Sequence, residues 1–150
     1  MTPDELQQRT REFALRIIKL VDALPKSAAG RGMGTQLLRS GTSVAANYRA
    51  ARCARSHKEF LAKIGIVAEE SDEAELWLDL IMASNMISMR RVKSLHAEAA
   101  ELMKIFAASR RSARVRQSKS AAARRSTKAA LPQSPNGQLA KWPNREFVTT

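Results

Sequence analysis

Cysteine, histidine, aromatic residues and long apolar runs are all scarce in this sequence. Cys53 is the only cysteine, so the chain cannot form an internal disulfide or a thiolate metal cluster. Aromatic residues make up only 5% of the chain, which favours an aliphatic core built from helices over a β-sandwich. No apolar run approaches the roughly 20 residues needed to cross a bilayer. The acidic N-terminus lacks the apolar segment of a signal peptide, so we expect a cytoplasmic protein without a membrane partner.

Positive charge is abundant but unevenly distributed. The chain carries a net charge of +12, of which residues 1–109 contribute +3 and residues 110–150 contribute +9, with Glu146 as the only acid in the second part. This division predicts a folded domain over residues 1–109 and a basic, low-complexity, disordered tail over residues 110–150. A basic tail is typical of proteins that bind a polyanion or that need added solubility.

The first helix and the segment after it have clear sequence signals. Thr2 as N-cap, Pro3 at the first helical position and Glu5 three residues after the cap form a capping box. Pro25 ends the helix. Residues 25–34 contain three glycines and are predicted to form a connecting loop. A phosphate-binding loop would require a preceding strand and a Gly-Lys pair, and neither is present.

Three further helices are predicted from apolar spacing. Helix 2 runs from about Thr35 to Ala54, and its mid-helix Gly41 indicates close approach by another helix. Helix 3 begins with a second capping box, formed by Ser56 and Glu59, and ends near residues 84–85. Helix 4 spans about 89–109.

Heptad-like spacing decides the fold class. Apolar or small residues recur at alternating steps of four and three in the last two helices: Phe60, Ile64, Val67, Ser71, Ala74, Leu78 and Ile81, and then Val92, Leu95, Ala99, Leu102 and Phe106. No segment has the alternation of a strand. The sequence therefore predicts an all-α protein, an antiparallel up-down four-helix bundle.

Polar residues inside these helices favour structure over catalysis. Ser40, Ser43 and Asn47 form one stripe, which predicts hydrogen bonds within the bundle that fix its register. A catalytic serine would need a base, but no motif surrounds His57 or His96. The acidic stretch of helix 3 lacks the Glu-x-x-His pairs of di-iron bundles. We therefore expect no enzyme activity, no catalytic or metal-binding residues and no cofactor.

Charge is segregated between helices 2 and 3, and two interpretations remain open. The cations of helix 2 either form a surface for nucleic acid or pair with the acids of helix 3. In the second case Glu70 and Glu73 would contact Arg39, Arg49 or Arg52, either within a subunit or between subunits. Trp77 widens the apolar face of helix 3.

One run of residues resembles a known family. The run Gln36-Leu-x-Arg39-x-x-x-Ser43-Val-x-x-Asn47, followed by Phe60 and Glu70-x-x-Glu73, is similar to the bacterial four-helix-bundle proteins encoded in intervening sequences of 23S ribosomal RNA genes. Related members are accessory proteins of diversity-generating retroelements. The resemblance covers roughly residues 10–108. The Asn47-Tyr48-Arg49 and Trp77-Leu78 elements resemble a subgroup of the family.

The resemblance implies a homopentamer with a basic surface suited to RNA or DNA. Together with the charge pattern, it gives two sets of candidate residues. The candidate nucleic-acid-binding residues are Arg39, Arg49, Arg52, Arg55, Lys58, Arg110, Arg111, Arg114 and Arg116. The candidate structural or assembly residues are Gln36, Ser43, Asn47, Glu70, Glu73 and Trp77. Binding led by phosphates would show low sequence specificity and steep salt dependence. The alternative is an interaction scaffold that docks a reverse transcriptase or a ribosomal partner.

Overall fold

Four α-helices account for most of the part of the chain that the structure describes. The structure is a computed structural model that describes the backbone of residues 1–130 and the side chains of residues 1–126. The helices are α1 (Pro3–Asp22), α2 (Ala28–Arg52), α3 (His57–Ala83) and α4 (Met89–Ala130). No strand occurs within residues 1–130, and the predicted all-α class is confirmed. The chain divides into a compact unit, Met1–Gln117, which contains the apolar core, and a second unit that begins at Ser118.

The capping box predicted for α1 is confirmed. The backbone N–H of Thr2 donates to Glu5 Oε2 at 2.7 Å, and the N–H of Glu5 donates to Thr2 Oγ1 at 3.1 Å. These two bonds satisfy donors that the first turn of a helix otherwise leaves without partners. The helix ends at Asp22, three residues before Pro25.

The loop predicted over residues 25–34 is wrong, because α2 already begins at Ala28. Ser27 caps this helix, and its Oγ accepts from the N–H of Gly30 at 3.1 Å. A Cβ on Gly30 would lie only 2.1 Å from the carbonyl oxygen of Pro25. Glycine is therefore needed there for a close backbone approach inside a helix. Capping and packing outweigh the roughly 1 kcal/mol that each glycine costs a helix.

The close approach predicted at Gly41 is confirmed. A Cβ on Gly41 would lie 2.7 Å from Cγ1 of Ile17 on α1. Gly34 lies against the same helix, where an added Cβ would be 3.3 Å from Val21 Cγ1. Glycines along α2 thus let the backbones of α1 and α2 come together.

The start of α3 differs in one detail from the predicted capping box. Ser56 Oγ accepts from the N–H of Glu59 at 3.1 Å, as predicted. The carboxylate of Glu59 accepts from the N–H of Arg55 at 2.9 Å, one residue before the expected donor. The helix ends at Ala83, as its pattern indicated, and Asn85 follows with a φ of 53°, a left-handed conformation that asparagine tolerates.

The predicted end of helix 4 at Ser109 is wrong, because α4 continues to Ala130. Residues 110–130 contain neither glycine nor proline and are rich in alanine and arginine, which are strong helix formers. The disorder predicted for the start of the basic segment is therefore replaced by helix. The remainder of the predicted disordered tail, residues 131–150, lies outside the described residues.

The predicted apolar seams form the core. Every residue of the two predicted seams, on α3 and α4, is buried except Phe60, which is half-buried and packs against the core. Buried hydroxyl groups form their hydrogen bonds within one helix, whereas the prediction expected bonds that fix the register of the bundle. Ser40 donates to the carbonyl of Gln36 at 3.1 Å and Ser71 to that of Val67 at 2.7 Å, each within its own helix. These serines satisfy their polar groups locally, so they do not fix the register between helices.

An ion pair that the sequence did not reveal links α1 to α4. Arg9 Nε donates to Glu98 Oε1 at 2.6 Å, and Nη2 donates to Oε2 at 2.9 Å. This two-point contact with the Glu98 carboxylate raises the pKa of Arg9 above its usual value. The planar fork of arginine matches a carboxylate in this geometry, so the pair orients the two helices as well as joining them.

Candidate nucleic-acid interface

Arg39 is the helix 2 cation that pairs with the acids of α3. Its Nη2 donates to Glu73 Oε1 at 2.5 Å, and its Nη1 lies 3.6 Å from Glu70 Oε1. No such pair forms between these acids and Arg49 or Arg52 among the described residues. Of the two interpretations left open by the sequence, ion pairing therefore holds for Arg39.

The two carboxylates beside Arg39 have opposite pKa shifts. The hydrogen bond from Arg39 lowers the pKa of Glu73, and Trp77 Nε1 adds a second hydrogen bond to Glu73 Oε1 at 3.2 Å. Burial raises the pKa of Glu70, with the negative charges of Glu73 and Glu69 adding to the effect. The second oxygen of Glu70, Oε2, is buried without a hydrogen-bond partner among the described residues. A buried acceptor without a hydrogen bond costs folding free energy, so the ionised carboxylate of Glu70 is less favourably placed than that of Glu73.

These acids lie on a partly exposed stripe of α3. The stripe, which we call the α3 stripe, repeats at steps of four and three beside the buried seam and consists of Ile66, Glu70, Glu73, Trp77 and Leu80. The side chains of Ile66 and Leu80 are 37% and 38% exposed. Apolar side chains therefore flank the carboxylates, a pattern of chemistry suited to contact with another protein surface.

The two arginines nearest the α2–α3 connection, Arg52 and Arg55, differ in how tightly they are held. Arg52 is fixed by Asp4, at 2.7 Å from Nη2, and by Gln7 Oε1, at 2.6 Å from Nη1. Arg55 is 92% exposed, and its Nε lies 3.9 Å from Glu59. A pair this long and this exposed contributes little stabilisation.

Two predicted cations in the same region have no partner within the described part of the chain. Arg49 and Lys58 are exposed, and no ion pair or hydrogen bond is formed by either side chain there. Their charges therefore face solvent, as a phosphate-binding surface requires.

The predicted cations of α4 also fall into two groups, one paired with an acid and the other unpaired within residues 1–126. Arg110 Nη1 lies 3.4 Å from Glu69 Oε1 on α3, so this residue is an interhelical contact. Arg111, Arg114 and Arg116 are exposed and form no ion pair with any residue between 1 and 126. Charge on this segment is uncompensated locally, because no acid occurs between Glu101 and Glu146.

One place in the fold brings cations of α2 and α4 together. His57, at the start of α3, contacts the carbonyl oxygen of Ala113 on α4 through its Nε2 at 2.8 Å. Around this contact lie two neighbouring cavities that share His57, Phe60 and Ser109 in their walls. Arg52 and Arg55 line the first, and Arg116 lines the second. We call this surface, defined by Arg52, Arg55, His57 and Arg116, the basic corner.

Sequence reasoning found the arginines of the basic corner but missed its geometry. The prediction treated the α2 cations and the α4 cations as separate groups, with the second group in a disordered tail. Continuation of α4 past Ser109 places Ala113 and Arg116 beside His57. The usable signal was the lack of glycine and proline after Ser109, which favoured a longer helix.

A family model supplies the classification. The model described as 23S rRNA-intervening sequence protein matches residues 4–108, more than half of the chain. The chain belongs to the 23S rRNA-intervening sequence protein family. The resemblance noted on Gln36 to Glu73 is thereby confirmed.

A solved structure with a similar sequence supports the same fold. It is described as a protein with unknown function from the S23 ribosomal protein family from Bacteroides thetaiotaomicron. The two chains are 32% identical with a TM-score of 0.68, over 74% of this chain and 99% of that one. No curated protein matches the sequence.

Only part of the basic corner lies within the residues that match the 23S rRNA-intervening sequence protein family. Arg52, Arg55 and His57 lie within the matched residues 4–108, whereas Arg116 lies beyond them. The family fold therefore includes one side of the corner, and the extension of α4 supplies the other.

The other predicted assembly residues have local roles in this family member. Asn47 Nδ2 donates to the carbonyl of Ser43 at 3.0 Å, one turn earlier in α2. Gln36 is exposed, and its carbonyl accepts from Ser40. These contacts stay within one helix.

Two structural features are absent from the described part of the chain. No group of three or more His, Cys, Asp or Glu side chains is positioned to hold a metal ion there. No helix within residues 1–130 is long and apolar enough to cross a membrane.

Proposed function

We propose that this protein is a non-enzymatic, homo-oligomeric helical bundle that binds RNA or DNA through the basic corner, with low sequence specificity. The observation that carries the proposal is the convergence of Arg52, Arg55 and Arg116 around His57, with no carboxylate in the walls of either cavity. Arginine is suited to phosphate because its planar fork donates two parallel hydrogen bonds.

Some of the binding residues predicted from the sequence are paired with acids and are not assigned to nucleic-acid binding. Arg39, Arg52 and Arg110 form ion pairs with Glu73, Asp4 and Glu69 respectively, which leaves their charges compensated. Arg55 and Arg116 are therefore the cations of the basic corner that we assign to phosphate. The supplementary cations, which are exposed without a partner in residues 1–126, are Arg49, Lys58, Arg111 and Arg114. Such contacts add affinity through counterion release without reading the base sequence.

The arrangement of the helices is part of the proposal. We infer an antiparallel up-down bundle, supported by contacts whose order reverses between neighbours: Ile17 of α1 packs on Gly41, while Pro3 accepts a hydrogen bond from Tyr48 at 3.4 Å. Likewise Arg9 pairs with Glu98, and Arg16 bonds to Ser94. The α3 stripe is the surface we assign to self-association, and the family resemblance implies five copies.

Repetition would strengthen a weak site. A homo-oligomer presents the basic corner once per subunit, and simultaneous contact with one nucleic acid raises the effective concentration of every further site. The result would be avidity from modest individual contacts, without added sequence specificity.

A second candidate function is a protein-interaction scaffold. The α3 stripe favours it, since Ile66 and Leu80 leave apolar area exposed beside Trp77. In that case the occupant of the stripe would be a different protein, such as a reverse transcriptase or a ribosomal component, in place of another copy of the chain.

Direct titration of nucleic acid tests the proposal. Fluorescence anisotropy of a labelled structured RNA and of a duplex DNA would be followed with the full-length protein at low and at physiological salt. We expect the Arg55→Gln/Arg116→Gln variant to bind both nucleic acids more weakly than the native protein. The matched control is Arg11→Gln/Lys19→Gln, which removes the same charge from exposed positions on α1.

The two variants separate local binding from overall charge. Equal losses in both would mean that net charge alone drives association and would contradict the assignment to the basic corner. No binding by the native protein at either salt concentration would refute nucleic-acid binding and favour the scaffold.

A further inference from the structure

The larger cavity of the basic corner has the size of a small-ligand site. Its volume is about 720 Å³, within the range of roughly 300 to 1,000 Å³ that ligand pockets occupy. Leu6, Ala51 and Ile64 are buried residues in its apolar part. Arg52 and Arg55 provide positive charge at the same site. The cavity therefore combines an apolar interior with cations.

An aromatic pair forms part of its wall. The rings of His57 and Phe60 are stacked, with centroids 6.4 Å apart and an interplanar angle of 30°. His57 is held in place because its Nε2 contacts the carbonyl of Ala113 at 2.8 Å. A carbonyl oxygen can only accept, so Nε2 carries the hydrogen and Nδ1 is left as an acceptor in the neutral ring. No residue in the described range bonds to Nδ1.

The charges around the cavity favour an anionic ligand. Neither this cavity nor the smaller one beside it, of about 420 Å³, has an Asp or Glu in its wall. The nearby acids Asp4 and Glu59 are paired with Arg52 and Arg55 respectively, the second only at 3.9 Å. Arg116 of the smaller cavity has no ion-pair partner within residues 1–126. Positive charge is thus available on both sides of the aromatic pair.

We infer that this cavity binds one unpaired nucleotide of a single-stranded nucleic acid, with its base against Phe60 and His57 and its phosphates at Arg55 and Arg116. The inference deepens the proposed nucleic-acid binding and rests on it. A nucleotide presents a flat aromatic base, which suits the apolar wall and the aromatic pair, and an anionic phosphate, which suits the flanking cations. Bases paired in a duplex cannot enter such a cavity, because their faces are covered by stacking neighbours.

The test compares matched oligonucleotides that differ in one property at a time. Anisotropy titrations with the full-length protein would use a labelled single strand, the same strand with abasic sites, and the corresponding duplex. We expect the single strand to bind at least about five-fold more tightly than the abasic strand, the lower end for loss of one base–aromatic stack. Phe60→Leu should abolish this difference while leaving duplex binding unchanged.

Folding does not confound the main comparison. Phe60 is half-buried against the core, so the variant would first be compared with the native protein by thermal melting. The abasic comparison uses the native protein alone and needs no substitution. Arg55→Gln should weaken binding of both strands, whereas Arg11→Gln, on a remote exposed position, should change neither.

The outcomes distinguish the two proposals. If intact, abasic and duplex forms all bind equally, nucleic-acid binding stands and the nucleotide site is refuted. If none of them binds, both proposals fail. If Phe60→Leu changes the oligomeric state while the abasic strand binds as tightly as the intact one, the cavity is a contact between copies and the inference is overturned.

Discussion

Two glycines at the start of α2 give opposite predictions for the same substitution. Gly32 is exposed inside the helix, and an added Cβ would meet nothing within 4 Å. Gly30 lies in the first turn of the helix, where an added Cβ would meet the Pro25 carbonyl oxygen at 2.1 Å. Alanine should therefore stabilise the protein at position 32 and destabilise it at position 30.

The magnitudes follow from the local structure. At Gly32, alanine recovers about 0.5 to 1 kcal/mol of helix propensity. At Gly30, displacing the backbone of Pro25 costs about 1 to 3 kcal/mol, as overpacking does elsewhere. That displacement also disturbs the hydrogen bond from the Gly30 N–H to Ser27 Oγ, worth about 1 kcal/mol. The two variants should therefore differ by about 2 to 4 kcal/mol after the propensity gain is included.

Urea unfolding followed by far-UV circular dichroism would measure both free energies at one protein concentration. A fixed concentration matters because assembly shifts apparent stability by mass action. If residues 25–34 were a loop, Gly32→Ala would be neutral or destabilising. A Gly32→Ala variant no more stable than the native protein would therefore refute a helix that begins at Ala28, and equal stability of the two variants would refute the close contact at Gly30.

The remaining predictions concern the acids and the apolar ends of the α3 stripe. Glu73→Gln should destabilise the protein at neutral pH, because the pKa of Glu73 is lowered in the folded state and its ionised carboxylate therefore stabilises the fold. This stability is lost as pH falls through the folded-state pKa. Urea unfolding at several pH values should therefore show the difference between the variant and the native protein shrinking in acid. Glu70→Gln should be neutral or stabilising at pH 7, because the pKa of Glu70 is raised in the folded state and its ionised carboxylate destabilises the fold at higher pH. A loss of unfolding free energy equal to that of Glu73→Gln would contradict this prediction. If the proposed homo-oligomer forms through the α3 stripe, Ile66→Asp/Leu80→Asp should dissociate it in sedimentation velocity. Met89→Asp, at an exposed apolar position away from the stripe, should leave it intact. An unchanged oligomer in the double variant would refute the assigned interface.

Local signals predicted helices well wherever one feature dominated. The capping box of Thr2 and Glu5 fixed the start of α1, and the alternating seam from Ile64 to Ile81 fixed the buried face of α3. The failures came where two effects competed. Three glycines between residues 30 and 34 indicated a loop by propensity, but tertiary packing and the Ser27 cap favour a helix there. Tertiary contacts of that kind commonly outweigh intrinsic helix propensity.

The candidate site was less predictable than the fold. Which cation pairs with which acid depends on helix rotation and relative height, and these are set by packing across the core. Arg39 and Arg52 look alike in the sequence, yet one meets Glu73 of α3 and the other meets Asp4 of α1. The basic corner additionally requires α4 to extend past Ser109. A boundary error of a few turns therefore hid the contact between His57 and Ala113.

The salt dependence of binding tests most directly the claim that the basic corner binds nucleic acid. The slope of log Kd against log salt would be measured for a duplex DNA with the native protein, Arg55→Gln/Arg116→Gln, and Arg11→Gln/Lys19→Gln. Each phosphate contact contributes about 0.9 to the slope on duplex DNA. We therefore predict a slope reduced by up to about two per bound copy in the first variant and unchanged in the second. Native slopes and affinities in both variants would contradict the account.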